Sequence, residues 1–112
     1  MHIDRNFLKS QLGTSNFENV HVIHAVDDSM TPSIIPRDLL FVNPGDKDIT
    51  TDAIYVFLVG EETMVKRVES NPLSKELTLL SDNKQYAPIE IHQTDRDKIT
   101  VIGRVIGNFK KF

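Results

Sequence analysis

Ser29 lies in the run Asp27-Asp28-Ser29-Met30-Thr31-Pro32 and Lys66 in Met64-Val65-Lys66-Arg67-Val68, 37 residues further on. Between them they offer a hydroxyl nucleophile and an amine base, the two parts of a Ser-Lys dyad, which needs no histidine. An amine acts as a base only after losing its proton. Lowering a lysine pKa from ~10.4 to ~7 takes roughly 4–5 kcal/mol of differential destabilisation, which an apolar pocket supplies. With Thr63 to Glu69 extended, Lys66 shares a face with Met64 and Val68, while Val65, Arg67 and Glu69 point the other way. Lys66 is therefore expected in apolar surroundings. Taken singly, either residue has a plainer explanation: a turn or capping serine, and a lysine snorkelling at the surface.

The elements that must position this pair read as strands. Val20 to Val26 is rich in β-branched residues and is expected to deliver Ser29 to an exposed strand end. Pro32 and Pro36 keep the following segment turn-like. Leu39 to Val42 and Ala53 to Val59 follow as strands, the second apolar on both faces and so central, with the turn Asn43-Pro44-Gly45-Asp46 between them. Gly60-Glu61-Glu62 closes a hairpin into the Lys66 strand. Leu77 to Leu80, a stretch near Ile89 to Ile91, and Ile99 to about Asn108 complete the set. The fold class is thus mainly β, a partly rolled sheet or barrel of short strands. Near the start, Asp4 caps a short expected helix with Phe7, Leu8, Gln11 and Leu12 on one face and Gly13 ending it. Residues 1–19 then form a linker remnant or docking arm, and residues 20–112 the domain.

A chain of 112 residues suits one core, and 39% hydrophobic with 26% charged residues is the composition of a globular domain. A net charge of −3 and a pI near 5.7 argue against a phosphate-gripping surface. The absence of cysteine excludes disulfide and thiolate chemistry and fits a reducing, cytoplasmic compartment. No apolar run approaches the ~20 residues that span a bilayer, so no membrane association is expected.

Other signals carry less. Ser81-Asp82-Asn83-Lys84 overlaps two fragments of the penicillin-recognising signature on the same residues, and a turn between strands accounts for it. His21 and His24 fall on opposite faces of a strand, and the acidic residues Asp46, Asp48 and Asp52 lack the ligand order of an EF-hand. Neither a metal nor any other cofactor is expected.

Six ordered blocks resemble the C-terminal domains of LexA and the CI-like phage repressors. They are His24 to Ile34, Arg37 to Val42, Ala53 to Val56, Met64 to Val68, Leu79 to Asn83 and Ile102 to Ile106. The resemblance implies a domain that dimerises a DNA-bound repressor and, in many members, cuts its own linker when a RecA filament signals DNA damage. It implies Ser29 as nucleophile and Lys66 as general base, with the backbone amides of Asp28 and Ser29 as oxyanion donors. DNA contact would then belong to a separate N-terminal domain, this chain being the effector half of a longer regulator.

Two features depart from the family pattern. Asp27 stands where glycine is usual, bringing negative charge near a developing oxyanion and implying a slow or silent enzyme. The Ala-Gly or Cys-Gly bond that such proteins cut is also missing, Leu12-Gly13 being the only X-Gly bond before Ser29. The residues therefore leave open a self-peptidase and a non-cleaving assembly module for cooperative DNA binding. A UmuD-like polymerase accessory subunit, similar to the same family, is the third reading. Finally, Ile99 to Ile106 is apolar on both faces, more than an edge strand safely exposes. Either burial within the monomer or self-association covers it. The expected homodimer or higher oligomer would meet through Thr100, Val101, Ile102, Arg104 and Ile106.

Overall fold

The computed structural model describes residues 20–25, 27–49 and 52–110. Seven strands form one sheet: β1 (His21–His24), β2 (Leu39–Asn43), β3 (Ile54–Val59), β4 (Glu62–Ser70), β5 (Leu77–Leu80), β6 (Ile89–Ile91) and β7 (Ile99–Phe109). A 3₁₀ helix, Gln93–Lys98, precedes β7; nothing in the hydrophobic pattern announces it. The mainly β expectation holds. The helical arm expected near Asp4 to Gly13 lies outside the described residues.

The order across the sheet is β1-β2-β7-β3-β4-β5-β6, with antiparallel pairing at every step. β3 occupies the middle, as its two apolar faces require. Tyr55 and Phe57 enter one core cluster with Val68, Leu77, Leu79 and Ile91. Val56 enters another, with Ala25, Met30, Ile34, Leu40 and Val42. Strand alternation thus turns one hexapeptide into the wall of two cores. The β3–β4 loop is Gly60-Glu61, flanked by the pair Val59 and Glu62, and Gly60 takes φ 61°. That geometry belongs to tight primed hairpin turns and fixes the register that sets Lys66 opposite Tyr55.

β7 corrects the edge-strand premise behind the expected interface. It is hydrogen-bonded to β2 on one side and β3 on the other. The register shifts on both sides: Phe57 pairs with Val101 but Val56 with Gly103, and Phe41 with Gly107 but Val42 with Val105. Ile102 and Ile106 are therefore the extra residues of two bulges, which break the alternation and let Ile102 and Val105 pack on one core while Ile99 and Val101 pack on the other. At Gly103 a Cβ would stand 2.5 Å from the Asn43 carbonyl oxygen, so only glycine admits this close approach. Apolar residues on both faces of β7 reflect central placement with bulges, and need no unpaired edge to account for them.

Candidate functional site

β1 ends at His24, and the chain turns through Ser29 into a loop held by its own backbone. Ala25 N–H donates to the Asp38 carbonyl and Arg37 N–H to the Ala25 carbonyl, so the segment leaves and returns at one point. Asp38, 1% exposed, secures that return: its Oδ2 accepts from Ile35 N–H at 3.1 Å and from Asn108 Nδ2 at 2.9 Å. Met30 and Ile34 plug the loop into the core. Ser29 itself is 3% exposed.

Lys66, 7% exposed on β4, reaches the same place from across the sheet. Ser29 and Lys66 both line a cleft of about 450 Å³ together with Asp27, Glu62 to Val65, Tyr86 and Ile89. A smaller cavity of about 70 Å³, walled by Ile23, Ala25, Met30, Ile34 and Val65, opens beside Ser29. The sequence-predicted pair is therefore brought together. Its surroundings are less apolar than expected, because Lys66 Nζ donates to Ser81 Oγ at 2.7 Å and lies 5.4 Å from the centre of the Tyr86 ring. Burial nevertheless pushes the Lys66 pKa below the ordinary lysine value, against the opposing charge of Asp27.

Of the two backbone groups expected as oxyanion donors, the Ser29 amide is engaged: it donates to Asp27 Oδ1 at 3.0 Å. Hydrogen bonding from the Ser29 side chain, then from its amide, holds the Asp27 carboxyl below the usual carboxylate range, with the Lys66 charge adding to it and burial opposing. Asp28 is held through its own carbonyl and carboxylate, which accept from Asn83 Nδ2 and the Tyr86 hydroxyl.

The segment after β5, read from sequence as a plain turn, joins the two halves of the site. Arg67 of β4 pairs with Leu80, so one step further along the ladder Ser81 faces Lys66. Asp82 accepts both arms of Arg67, at 2.9 Å from Nε and 2.8 Å from Nη2, and also the Ser33 hydroxyl. Asn83 N–H donates to the Ser29 carbonyl at 2.9 Å. The three successive residues Ser81, Asp82 and Asn83 thus tie the strand bearing the lysine to the loop bearing the serine. Sequence reasoning missed Ser81, Asp82 and Tyr86 as members of the site. The six residues between β4 and β5 do not fix a register by turn type, so nothing local told which residue would face Lys66.

The proposed interface residues lie apart from this cleft on β7. Thr100 and Arg104 are exposed, and Val101, Ile102 and Ile106 are half-buried. Arg104 Nη1 stands 3.6 Å from Asp46 Oδ2.

The Peptidase S24-like family matches residues 2–106. An uncharacterized HTH-type transcriptional regulator of Haemophilus influenzae is 36% identical over 90 residues, covering 80% of this chain and 37% of that protein. The 26 kDa repressor protein of Escherichia phage HK022 is 32% identical over 89 residues, again covering 80% of this chain and 37% of its own length. The chain spans little more than a third of these curated relatives.

Proposed function

Because this chain belongs to the Peptidase S24-like family, we propose that it is the C-terminal oligomerisation and self-cleavage domain of a CI-like phage repressor. The observation that carries this reading is the meeting of a buried serine and a desolvated lysine in one cleft, on a loop and a strand clamped together by Ser81 to Tyr86. DNA contact falls to a separate N-terminal domain within the longer protein, as the net charge of −3 suggests for this part. The setting is the cytoplasm, where an activated RecA filament would promote the reaction by stabilising the cleavable arrangement.

In the proposed reaction Ser29 Oγ attacks the carbonyl carbon of a linker peptide bond while its proton passes to the neutral Lys66 amine. The negative charge on the former carbonyl oxygen is met by the Ser29 amide once Asp27 Oδ1 has left it. Lys66 then returns the proton to the leaving nitrogen as the C–N bond breaks, and water, activated by the same amine, hydrolyses the acyl-serine ester. Ser81 accepts one N–H of the amine and so aims its lone pair. Tyr86 covers the amine from solvent. No metal or cofactor enters these steps.

A second reading, the non-cleaving assembly module, draws support from one contact: the Asp27 carboxylate on the Ser29 amide. A UmuD-like accessory role ranks below both, since the curated relatives are named as a repressor and a transcriptional regulator. The deciding experiment incubates the longer regulator at neutral and raised pH, with and without activated RecA filament, and follows its mass beside Ser29→Ala and Lys66→Ala. One linker cut, lost in both variants, is expected. An intact protein under every condition would leave assembly as the function.

A further inference from the structure

An oxyanion hole works because its donors are aimed at charge that appears only during reaction. In the chymotrypsin-type template the amide of the nucleophile itself is one of those donors. Here the Ser29 amide already has a negatively charged acceptor, Asp27 Oδ1 at 3.0 Å, two residues back in the chain. Asp27 also lines both the large cleft and the small cavity beside Ser29, so it borders the space a substrate would enter. Asp28 and Ser29, the next residues along, are anchored by Asn83 and Tyr86, which fixes the segment that carries Asp27.

We propose that Asp27 is a built-in oxyanion mimic: its carboxylate fills the Ser29 amide donor and holds the nucleophile in a self-inhibited state until substrate or a partner displaces it. The inference rests on the self-peptidase reading, since it assigns the amide a catalytic role. Displacement requires the carboxylate to swing off the amide, and an incoming carbonyl then inherits the donor. While Asp27 remains in place, a developing oxyanion meets both an occupied donor and a like charge. A conventional Asx turn would share the 3.0 Å contact, but its loss would slacken the loop and slow any chemistry at Ser29.

A fluorophosphonate probe separates these cases in the 112-residue chain itself, because its readout needs no peptide cleavage. Ser29 Oγ forms the O–P bond, fluoride leaves as the P–F bond breaks, and the hydroxyl proton passes to Lys66. The rate of mass gain, with the labelled peptide located by fragmentation, is measured for the wild type, Asp27→Gly, Asp27→Asn, Ser29→Ala and Lys66→Ala. The Asp27→Gly chain is expected to label at Ser29 roughly 10²-fold faster than the wild type, the effect of restoring one oxyanion donor. Asp27→Asn keeps an acceptor oxygen but not its charge and should fall between. Thermal melts monitor folding, and if Asp27→Gly does not fold, Asp27→Asn decides alone. Lys66-dependent labelling of Ser29 that is no faster in the folded Asp27 variants would overturn the proposal and leave the self-peptidase reading standing. Folded chains that never label at Ser29 would overturn both.

Discussion

In the proposed reaction, Lys66 is where burial becomes reactivity. Its pKa is lowered, so the folded chain releases that proton at a lower pH than the unfolded chain does. Below the folded value both states are charged and the buried ammonium weighs fully on the fold; stability from this group rises as pH climbs from the folded value towards about 10.4. Self-cleavage should follow the same proton, increasing towards alkaline pH with a midpoint below that of an exposed lysine. A rate that is flat with pH would exclude Lys66 as the base. Ser81→Ala sharpens the test. The ammonium loses an acceptor at 2.7 Å, so the pH midpoint should move down further while the plateau rate falls about tenfold, the worth of one hydrogen bond of roughly 1.4 kcal/mol. A variant that loses rate with no movement of the midpoint would make Ser81 merely structural. The serine and the lysine were legible because each stands in a distinctive run of residues. Ser81 was not, because its role comes from a strand register that only the folded ladder defines.

At the scale of elements, Asp82 links the strand of Lys66 to the loop of Ser29. Its carboxylate joins Arg67 of β4 to Ser33 of the serine loop, and hydrogen bonds from Arg67 lead the causes that hold its pKa below the ordinary carboxylate value. A depressed carboxyl contributes stability in full above about 3.9, and that contribution is lost as pH falls through the folded value. Asp82→Asn should therefore cost about 1–2 kcal/mol at pH 7, discounted for the partial exposure of the pair. Urea melts of the two proteins should converge as pH drops below 4; a constant gap would assign the loss to packing instead. Most strands were readable in the sequence, β5 to the residue and β6 in its approximate place, because alternation and turn residues such as Gly60 act locally. The place of β7 was not. Bulges at Ile102 and Ile106 mix the two faces of the strand, and from sequence that mixture resembles an apolar edge in need of a cover.

For the whole molecule, central placement of β7 changes where self-association must be sought. The outer strands of the described sheet are β1 and β6, and the backbone of β7 has no free hydrogen-bonding side to offer a second copy along the residues paired with β2 and β3. An interface through Thr100 and Arg104 would have to be a contact between sheet faces, built from side chains. Such a contact is sensitive to charge, because Arg104 is exposed and its nearest acid, Asp46 at 3.6 Å, belongs to the same chain. Arg104→Glu would place like charges against each other within the chain, opposite Asp46, and would reverse the charge this face offers a second copy, while leaving the buried core untouched. Sedimentation velocity over a wide concentration range should show association in the wild-type chain and a shift towards monomer in Arg104→Glu. Association unaltered by that change would move the interface to an outer strand, where Val22 is 41% exposed on β1. A wild-type chain that stays monomeric at the highest concentrations would remove assembly from this domain, and the cleft between Ser29 and Lys66 would then have to carry its function alone.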